Sequence, residues 1–188
     1  MYRKYLFPLH IFLVLEKTDA IVWNSSKISQ NSFFIYLSQN WFYTLNLMFK
    51  NELNFSNSSL IDITGFDSKE LSLNKHIIAS SKIILDYTYY FYKLKLRLNI
   101  LINYSELNNT RLQSIDKVYS NSNWLEREVS EMYGINYIFK TDCRKLLLDY
   151  SCIENPMLKD FATEGNKSFF YSFFENQVIF QKNEIIEL

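Results

Sequence analysis

The chain has 188 residues, of which 48% are hydrophobic and 18% aromatic, with 20 basic and 20 acidic side chains. This composition excludes a disordered chain, and zero net charge argues against a nucleic-acid partner or an anionic membrane surface, both of which need a basic field. The length fits one domain with an added segment. With 14 Tyr and 16 Phe, some rings are expected to face another protein.

The N-terminal segment joins two basic residues, Arg3 and Lys4, to an apolar run at residues 6–15. This run contains Pro8 and is too short to span a bilayer, which needs ~20 residues, so no transmembrane helix is expected. No small-residue cleavage site follows it. We predict an edge strand or a partner-binding segment inside an N-terminal extension, residues 1–30.

A helix and a strand are predicted next. Apolar residues recur at helical spacing between Ser32 and Lys50, which indicates an amphipathic helix. A polar loop rich in Asn and Ser follows to Ser59, and residues 60–67 (LIDITGFD) alternate as a strand does.

The segment 83–102 is typical of a β-hairpin that turns near Tyr92. Its first half, IILDYTYYF (83–91), is β-prone, and its second half, KLKLRLNILI (93–102), alternates strictly. One face of the second half is expected in the core and carries Leu94, Leu96, Leu98, Ile100 and Ile102. The other is expected to be wet and carries Lys95, Arg97 and Asn99.

Helical spacing returns in NWLEREVSEMYGI, residues 123–135. We predict that Asn123 and Glu126 form a variant capping box at the start of this helix. Gly134 is expected to end the helix in a left-handed conformation, after which Ile135 can fold back on the helix. The predicted apolar arc consists of Trp124, Leu125, Val129 and Met132.

Glu128 falls inside that predicted arc. Because an isolated buried charge costs several kcal/mol, we expect it to be paired. Lys145 and Lys159 are candidate partners, and Arg144 is the hypothesised one. Arg127 and Glu131 are then expected to form a solvated i,i+4 pair or a contact between subunits.

Beyond Lys140 the pattern is irregular until the β-like stretch FFYSFFENQVIF, residues 169–180. So long a connection without regular structure predicts a segment laid over a partner. The expected fold class is α+β, a small mixed or antiparallel sheet with flanking helices. We assign the domain to residues 31–140 and an extended C-terminal partner-binding segment to residues 141–188.

No cofactor motif accompanies these elements. Cys143 and Cys152, with His10 and His76 far apart, have neither cluster nor metal-ligand spacing. Glycine motifs for dinucleotides or phosphates are also absent from the sequence. We interpret all four residues as structural.

The segment 124–161 resembles the signature of the 30 kDa subunit of respiratory complex I, also called NADH dehydrogenase subunit 9 or the NuoC type. The signature positions, in order, are Glu126-Arg127-Glu128, Glu131, Met132-Tyr133, Lys140, Arg144 and Leu146-Leu147. The resemblance extends over about residues 55–165.

A second motif of that family resembles DYSCIENPMLKDF, residues 149–161. The positions that match are Asp149, Tyr150, Pro156, Lys159, Asp160 and Phe161. Four positions depart from the family pattern: Ser151 and Glu154 replace glycines, Asn155 replaces a histidine and Leu158 replaces an arginine. The local turn is therefore expected to differ.

The resemblance implies a core, non-catalytic scaffold subunit of the quinone-reducing module of complex I, in a hetero-oligomer with the quinone-site subunit of the 49 kDa type. Flavin, iron–sulfur clusters and ubiquinone are then expected in neighbouring subunits, with none held by this chain. The implied structural and interface residues are those of the two motifs: Glu126, Arg127, Glu128, Glu131, Arg144, Asp149, Tyr150, Pro156, Lys159, Asp160 and Phe161.

The expected location is the mitochondrial inner membrane, in the matrix-side peripheral arm. Only three glycines and two prolines, beside many Asn, Ile, Lys, Phe and Tyr, resemble the bias of an AT-rich organelle genome. The absence of an Arg-rich leader favours a gene inside the organelle.

Two alternatives remain open. A related hydrogenase-type or other quinone-linked complex shares the domain, and only neighbouring subunits distinguish it. An autonomous hydrolase using Glu126, Glu128 and Asp149 is the alternative from another class, although no nucleophile or metal set accompanies these carboxylates.

Overall fold

The computed structural model describes residues 21–24, 32–51, 57–68, 83–104, 112–165 and 167–183. The apolar N-terminal run at 6–15 lies outside the described residues. The described elements, in chain order, are β1 (Ile21–Asn24), β2 (Ser32–Leu37), α1 (Gln39–Asn51), β3 (Ser58–Asp67), β4 (Ile83–Phe91), β5 (Leu96–Tyr104), β6 (Leu112–Gln113), α2 (Ser122–Tyr133), β7 (Tyr137–Ile138), β8 (Lys167–Ser172) and β9 (Gln177–Lys182).

A five-stranded mixed sheet of order β1-β2-β5-β4-β3 forms the centre of the domain. β2 is parallel to β5, and the other neighbours are antiparallel. Two short pairs, β6 with β7 and β8 with β9, complete the strands of the described residues. The fold is therefore α+β, as the sequence predicts, and none of the described helices is long and apolar enough to cross a membrane.

The helix predicted from Ser32 begins only at Gln39, so the first part of that prediction is wrong. Residues 32–37 (SFFIYL) form β2 instead and pair with 97–102 on β5. Aromatic and β-branched residues fit a strand as well as a helix, and pairing with a buried central strand decides between them.

The hairpin predicted at 83–102 is confirmed as β4 and β5, joined by a turn at Tyr92–Lys95. Its expected wet face needs one correction, because Asn99 is almost fully buried. The Asn99 amide donates to both carboxylate oxygens of Asp86, at 3.1 and 2.9 Å, and to the Thr88 hydroxyl at 2.8 Å. A polar group can be buried here because its donors are satisfied.

α1 packs its buried face, Phe42, Leu45, Asn46 and Phe49, on the core face of the hairpin. The rings of Phe42 and Tyr87 lie 4.5 Å apart between centroids. Asn46 satisfies the buried Tyr89, whose hydroxyl donates to the Asn46 side-chain oxygen at 2.6 Å. Large tyrosines can therefore fill the core without leaving a hydroxyl unpaired.

α2 lies along β3, the edge strand of the sheet. The Asn121 amide donates to the Leu60 carbonyl at 2.7 Å just before the helix, and the Tyr133 hydroxyl donates to the Gly65 carbonyl at its last residue. With 12 residues, α2 is about 18 Å long. This length is close to the roughly 17 Å expected between Leu60 and Gly65, which are five residues apart on β3. These bonds occupy edge carbonyls that would otherwise be open to pairing with another chain.

The predicted stop of α2 at Gly134 is confirmed. Gly134 has a left-handed backbone (φ 73°), and its N–H bonds to the Ser130 carbonyl. The predicted capping box is wrong, because the N-cap residue is Asn121 and it makes no side-chain capping bond.

Gly65 generates a packing prediction. A Cβ there would lie 2.8 Å from the Tyr133 ring, which is tethered by its bond to the Gly65 carbonyl. Gly65→Ala is therefore expected to displace the ring and lower the free energy of unfolding by about 1–3 kcal/mol in a urea titration.

Tyr133→Ala provides the control background for Gly65→Ala. With the ring removed, Gly65→Ala should cost close to nothing, since the two changes act through one contact. An equal cost in both backgrounds would show that the helix does not approach the strand as described.

Candidate functional site

The buried carboxylates of α2 are Glu126, at 0% exposure, and Glu131, at 8%, whereas Glu128 is exposed. The prediction that Glu128 points inward is therefore wrong, and so is its pairing with Arg144. The buried face of the helix runs through Ser122, Glu126 and Val129, and Trp124, assigned to the apolar arc, is exposed. The apolar pattern predicted the wrong buried face because the inward face of this helix carries a charged residue, Glu126.

Glu126 forms a buried ion pair with Lys140, rather than the capping contact expected of it. Lys140 Nζ lies 2.9 Å from Glu126 Oε2, and both side chains are almost completely shielded from solvent. The Ser114 hydroxyl donates to the same carboxylate at 2.6 Å, and the Ile115 N–H donates at 2.9 Å. The carboxylate thus has three donors, as a buried charge requires.

These donors act against the cost of burial. Burial raises the pKa of the Glu126 carboxyl, and the Ile115 N–H, the Ser114 hydroxyl and the Lys140 ammonium oppose that rise. Burial and the nearby Glu126 charge also raise the pKa of Tyr137, whose hydroxyl lies 3.2 Å from that of Tyr87. The network is shielded from water and linked to the core of the domain.

Arg127 and Glu131 lie one turn apart on α2, about 40° around the helix axis, and both hold residues 141–161. We call residues 141–161 the strap. Glu131 accepts the backbone N–H groups of Leu146, Leu147 and Leu148 at 3.0, 2.9 and 2.7 Å. The predicted solvated pair between Arg127 and Glu131 is therefore wrong.

Arg127 binds the carbonyl side of the same stretch. Its Nε donates to the Arg144 carbonyl at 2.8 Å, and its Nη2 donates to the Lys145 carbonyl at 3.0 Å. Arg127 Nη1 also lies 3.5 Å from Asp142. One turn of helix thus binds both the donors and the acceptors of the strap backbone, and we call Arg127 and Glu131 the backbone clamp.

The contacts of the strap follow the direction of the helix. Just before it, Lys140 pairs with Glu126 in the first half of α2. Residues 144–148 then meet the backbone clamp, and the Met157 N–H donates to the Met132 carbonyl at 3.1 Å near the helix end. The Lys159 N–H finally donates to Asp67 at the end of β3, at 3.1 Å. The strap is therefore laid along α2 and ends against the sheet.

The strap has no buried side chain of its own. Every residue from 141 to 161 is partly or fully exposed. The apolar strap residues Leu147, Tyr150, Ile153 and Met157 are prominently exposed, Ile153 at 93%. Polar contacts to its backbone hold much of this segment to the domain, and the partly buried Leu158 packs against the hydrophobic core.

Other predicted interface residues have varied positions. Arg144 forms an exposed pair with Asp142 at 2.8 Å, and Asp149, Lys159 and Asp160 are exposed. Pro156 and Phe161 are half-buried. Their predicted roles in contacts between subunits stay predictions.

Sequence reasoning missed Ser114, Ile115, Asp142 and Asp67 as partners of these charges. Lys140 was visible only as a signature position, and its spacing of 14 residues from Glu126 does not indicate a contact. The backbone acceptors and donors of 144–148 have no side-chain signal at all, because any residue type supplies them.

Glu126, Glu128 and Asp149, the carboxylates of the hydrolase alternative, do not lie together in one site. Glu126 is in the core, Glu128 is on the solvent face, and Asp149 lines a separate cleft with Ser151 and Lys167. A cavity of about 330 Å³ between α2 and the strap is lined by Arg127, Glu131 and Lys140, which already bind other groups of the chain. No metal-ligand cluster occurs within the described ranges.

The buried pair generates a stability prediction. Lys140→Met leaves the Glu126 carboxylate buried without its cation, which should lower the free energy of unfolding by about 3–5 kcal/mol. The double variant Lys140→Met/Glu126→Gln should recover much of that loss in the same urea titration. Arg144→Met, which breaks the exposed pair, is the control and should change little; equal losses for Lys140 and Arg144 would contradict the assignment.

Glu131 generates a pH prediction. Burial alone would raise its pKa, but the N–H groups of Leu147, Leu146 and Leu148 outweigh burial and lower the pKa below the usual 4.5. The stabilisation is thus complete above that value and is lost as the pH falls through the lower folded-state pKa. The stability difference between wild type and Glu131→Gln should be largest near about pH 7 and shrink below about pH 4; a difference that grows on acidification would contradict it.

Comparison with known proteins identifies relatives that span both α2 and the strap. The family model described as "Respiratory-chain NADH dehydrogenase, 30 Kd subunit" matches residues 36–167. NADH-ubiquinone oxidoreductase subunit 9 of Paramecium primaurelia is 32% identical over 186 residues, covering 97% of this chain and 87% of the relative. A subunit of the NADH-quinone oxidoreductase of Cereibacter sphaeroides is 29% identical over 130 residues, covering 69% of this chain and 60% of the relative.

Two solved structures share the fold at low sequence identity. The trypsin-resistant fragment of Nqo5 superposes with a TM-score of 0.55 at 18% identity, covering 71% of this chain and 97% of that one. A chain of the membrane-bound sulfane sulfur reductase, an archaeal respiratory membrane complex, superposes with a TM-score of 0.63 at 17% identity, covering 84% and 86%. Because the family model spans more than half of the sequence, including α2 and the strap, this chain belongs to the 30 kDa subunit family of respiratory-chain NADH dehydrogenase.

Proposed function

We propose that this chain is a non-catalytic core scaffold subunit in the quinone-reducing module of mitochondrial NADH:ubiquinone oxidoreductase, complex I. Its place is the matrix-side peripheral arm at the inner membrane. The strap is the observation that supports the proposal most directly, because it presents exposed apolar side chains while its backbone is bound to α2. Similarity to subunit 9 of Paramecium primaurelia supports the mitochondrial assignment.

The partner in this proposal is the quinone-site subunit of the 49 kDa type. Exposed apolar surface is stabilised when another protein covers it, and interfaces are enriched in aromatic and Met side chains. Tyr150, Ile153 and Met157 on the strap supply such anchors, and the β8–β9 hairpin supplies more. By binding that partner, the chain helps to hold the quinone cavity at a fixed geometry.

The redox groups belong to the neighbouring subunits in this proposal. Flavin, iron–sulfur clusters and ubiquinone would be bound there, and electrons from NADH would reach ubiquinone without passing through this chain. In this proposal the chain contributes to the coupled proton translocation only by holding its neighbours in position. Glu126, Arg127 and Glu131 on α2 already bind backbone and core groups of this same chain.

A subunit of a related quinone-linked or hydrogenase-type complex is the second candidate. Its support is the fold shared with a chain of the archaeal sulfane sulfur reductase, at a TM-score of 0.63. The fold does not distinguish the two candidates, whereas the companion subunits do.

Isolation of the intact complex tests the proposal. The tagged chain would be purified from mild-detergent extracts of the source membranes, and its companions identified by peptide mass spectrometry. The proposal predicts a quinone-site subunit and NADH-dependent quinone reduction in the same fraction. A hydrogenase-type set of companions would favour the second candidate, and a solitary chain with turnover of its own would contradict both.

The β8–β9 hairpin generates a prediction for assembly. Phe173 and Phe174 at its tip are among the most exposed aromatic residues described. Changing both to Ser should leave the melting temperature of the chain unchanged, because neither ring is buried, yet reduce its recovery in the complex several-fold. Glu175→Gln at the same tip is the matched control and should have no effect. A loss of stability with normal assembly would contradict a docking role for the tip.

A further inference from the structure

The strap is ordered by a neighbouring helix rather than by a core of its own. No described residue from 141 to 161 is buried, yet the backbone groups of 144–148 make five hydrogen bonds to two charged side chains. Charge-assisted bonds are stronger than bonds between neutral groups. The conformation of this stretch is therefore set by α2.

Binding through the backbone has a consequence for the side chains. Within 144–148, Arg127 and Glu131 hydrogen-bond main-chain groups, so the clamp makes no demand on which side chains that stretch carries. Leu147, whose N–H is held, keeps its side chain on the surface. The clamp thus fixes the path of the strap and leaves its outer face open for recognition.

We infer that Arg127 and Glu131 are positioning residues for assembly: they hold the strap in its docking conformation before the partner subunit binds. This inference rests on the proposed function. A strap without the clamp would have to be ordered during docking, and ordering a segment on binding lowers affinity. The clamp removes that cost in advance, although neither side chain needs to touch the partner.

Hydrogen exchange of the whole chain tests the first half of the inference. Glu131→Gln should accelerate exchange of the Leu146, Leu147 and Leu148 amides by about tenfold or more, as expected for the loss of a charge-assisted contact. Exchange of the β4 and β5 amides should stay slow, which shows that the domain remains folded. Arg127→Met, which removes the carbonyl contacts, should loosen the same three amides.

Glu128→Gln is the matched control for this exchange measurement. It makes the same chemical change on the same helix, but on the solvent face. Exchange at 146–148 should remain at the wild-type rate. Equal loosening by Glu128→Gln, or no loosening by Glu131→Gln and Arg127→Met, would overturn the inference, as would core unfolding in both clamp variants.

Competition for incorporation tests the second half. Isotopically distinguished wild-type and variant chains would be co-expressed in the source cells, and their ratio measured in the purified complex and in total protein. The inference predicts that Glu131→Gln and Arg127→Met are each under-represented in the complex by about tenfold. A loosened strap with undiminished incorporation would overturn the inference while leaving the proposed function intact. Failure of the wild-type chain itself to enter a quinone-reducing complex would instead refute the proposed function.

Discussion

The ion pair between Glu126 and Lys140 is the constraint on which the remaining geometry of this surface depends. It holds Lys140, the residue just before the strap, against the first half of α2. Lys140 Nζ lies 2.9 Å from the buried Glu126 carboxylate. Phe139, the preceding residue, has a left-handed backbone (φ 60°) and is exposed, so the chain turns outward and then inward within two residues. From that fixed point the strap follows the helix, where Arg127 and Glu131 meet its backbone.

Charged side chains therefore stabilise two different contacts of one helix. In the core, Glu126 is paired and hydrogen-bonded, which is what makes a buried charge tolerable. At the strap, Arg127 and Glu131 bind the backbone of a segment in which no residue is fully buried. The two arrangements explain why a signature rich in charge can belong to a protein proposed to carry out no chemistry. They also place the apolar residues of the strap where a neighbouring chain can cover them.

Much of the fold could be predicted from local patterns. The hairpin of β4 and β5, the strand β3, the end of α2 at Gly134 and the β-like C-terminal stretch follow from alternation and from the need for a left-handed residue. β2 could not be predicted, because its six residues fit the periodicity of a helix as well as that of a strand. The residues of β5 with which it pairs lie 65 positions away in the sequence. Helical spacing located α2, but it placed Glu128 rather than Glu126 on the inward face. That choice depends on Ser114, Ile115 and Lys140, which only the folded chain brings together.

An experimental structure of the assembled complex is the most direct measurement, because it can show the strap bound to α2 and covered by a neighbour at the same time. We expect Glu131 to stay within hydrogen-bond distance of the N–H groups of 146–148, Lys140 to stay paired with Glu126, and a neighbouring chain to cover Tyr150 and Ile153. Glu131 turned away to bind a cation of the neighbour, with the strap lifted from α2, would contradict the positioning role of the clamp.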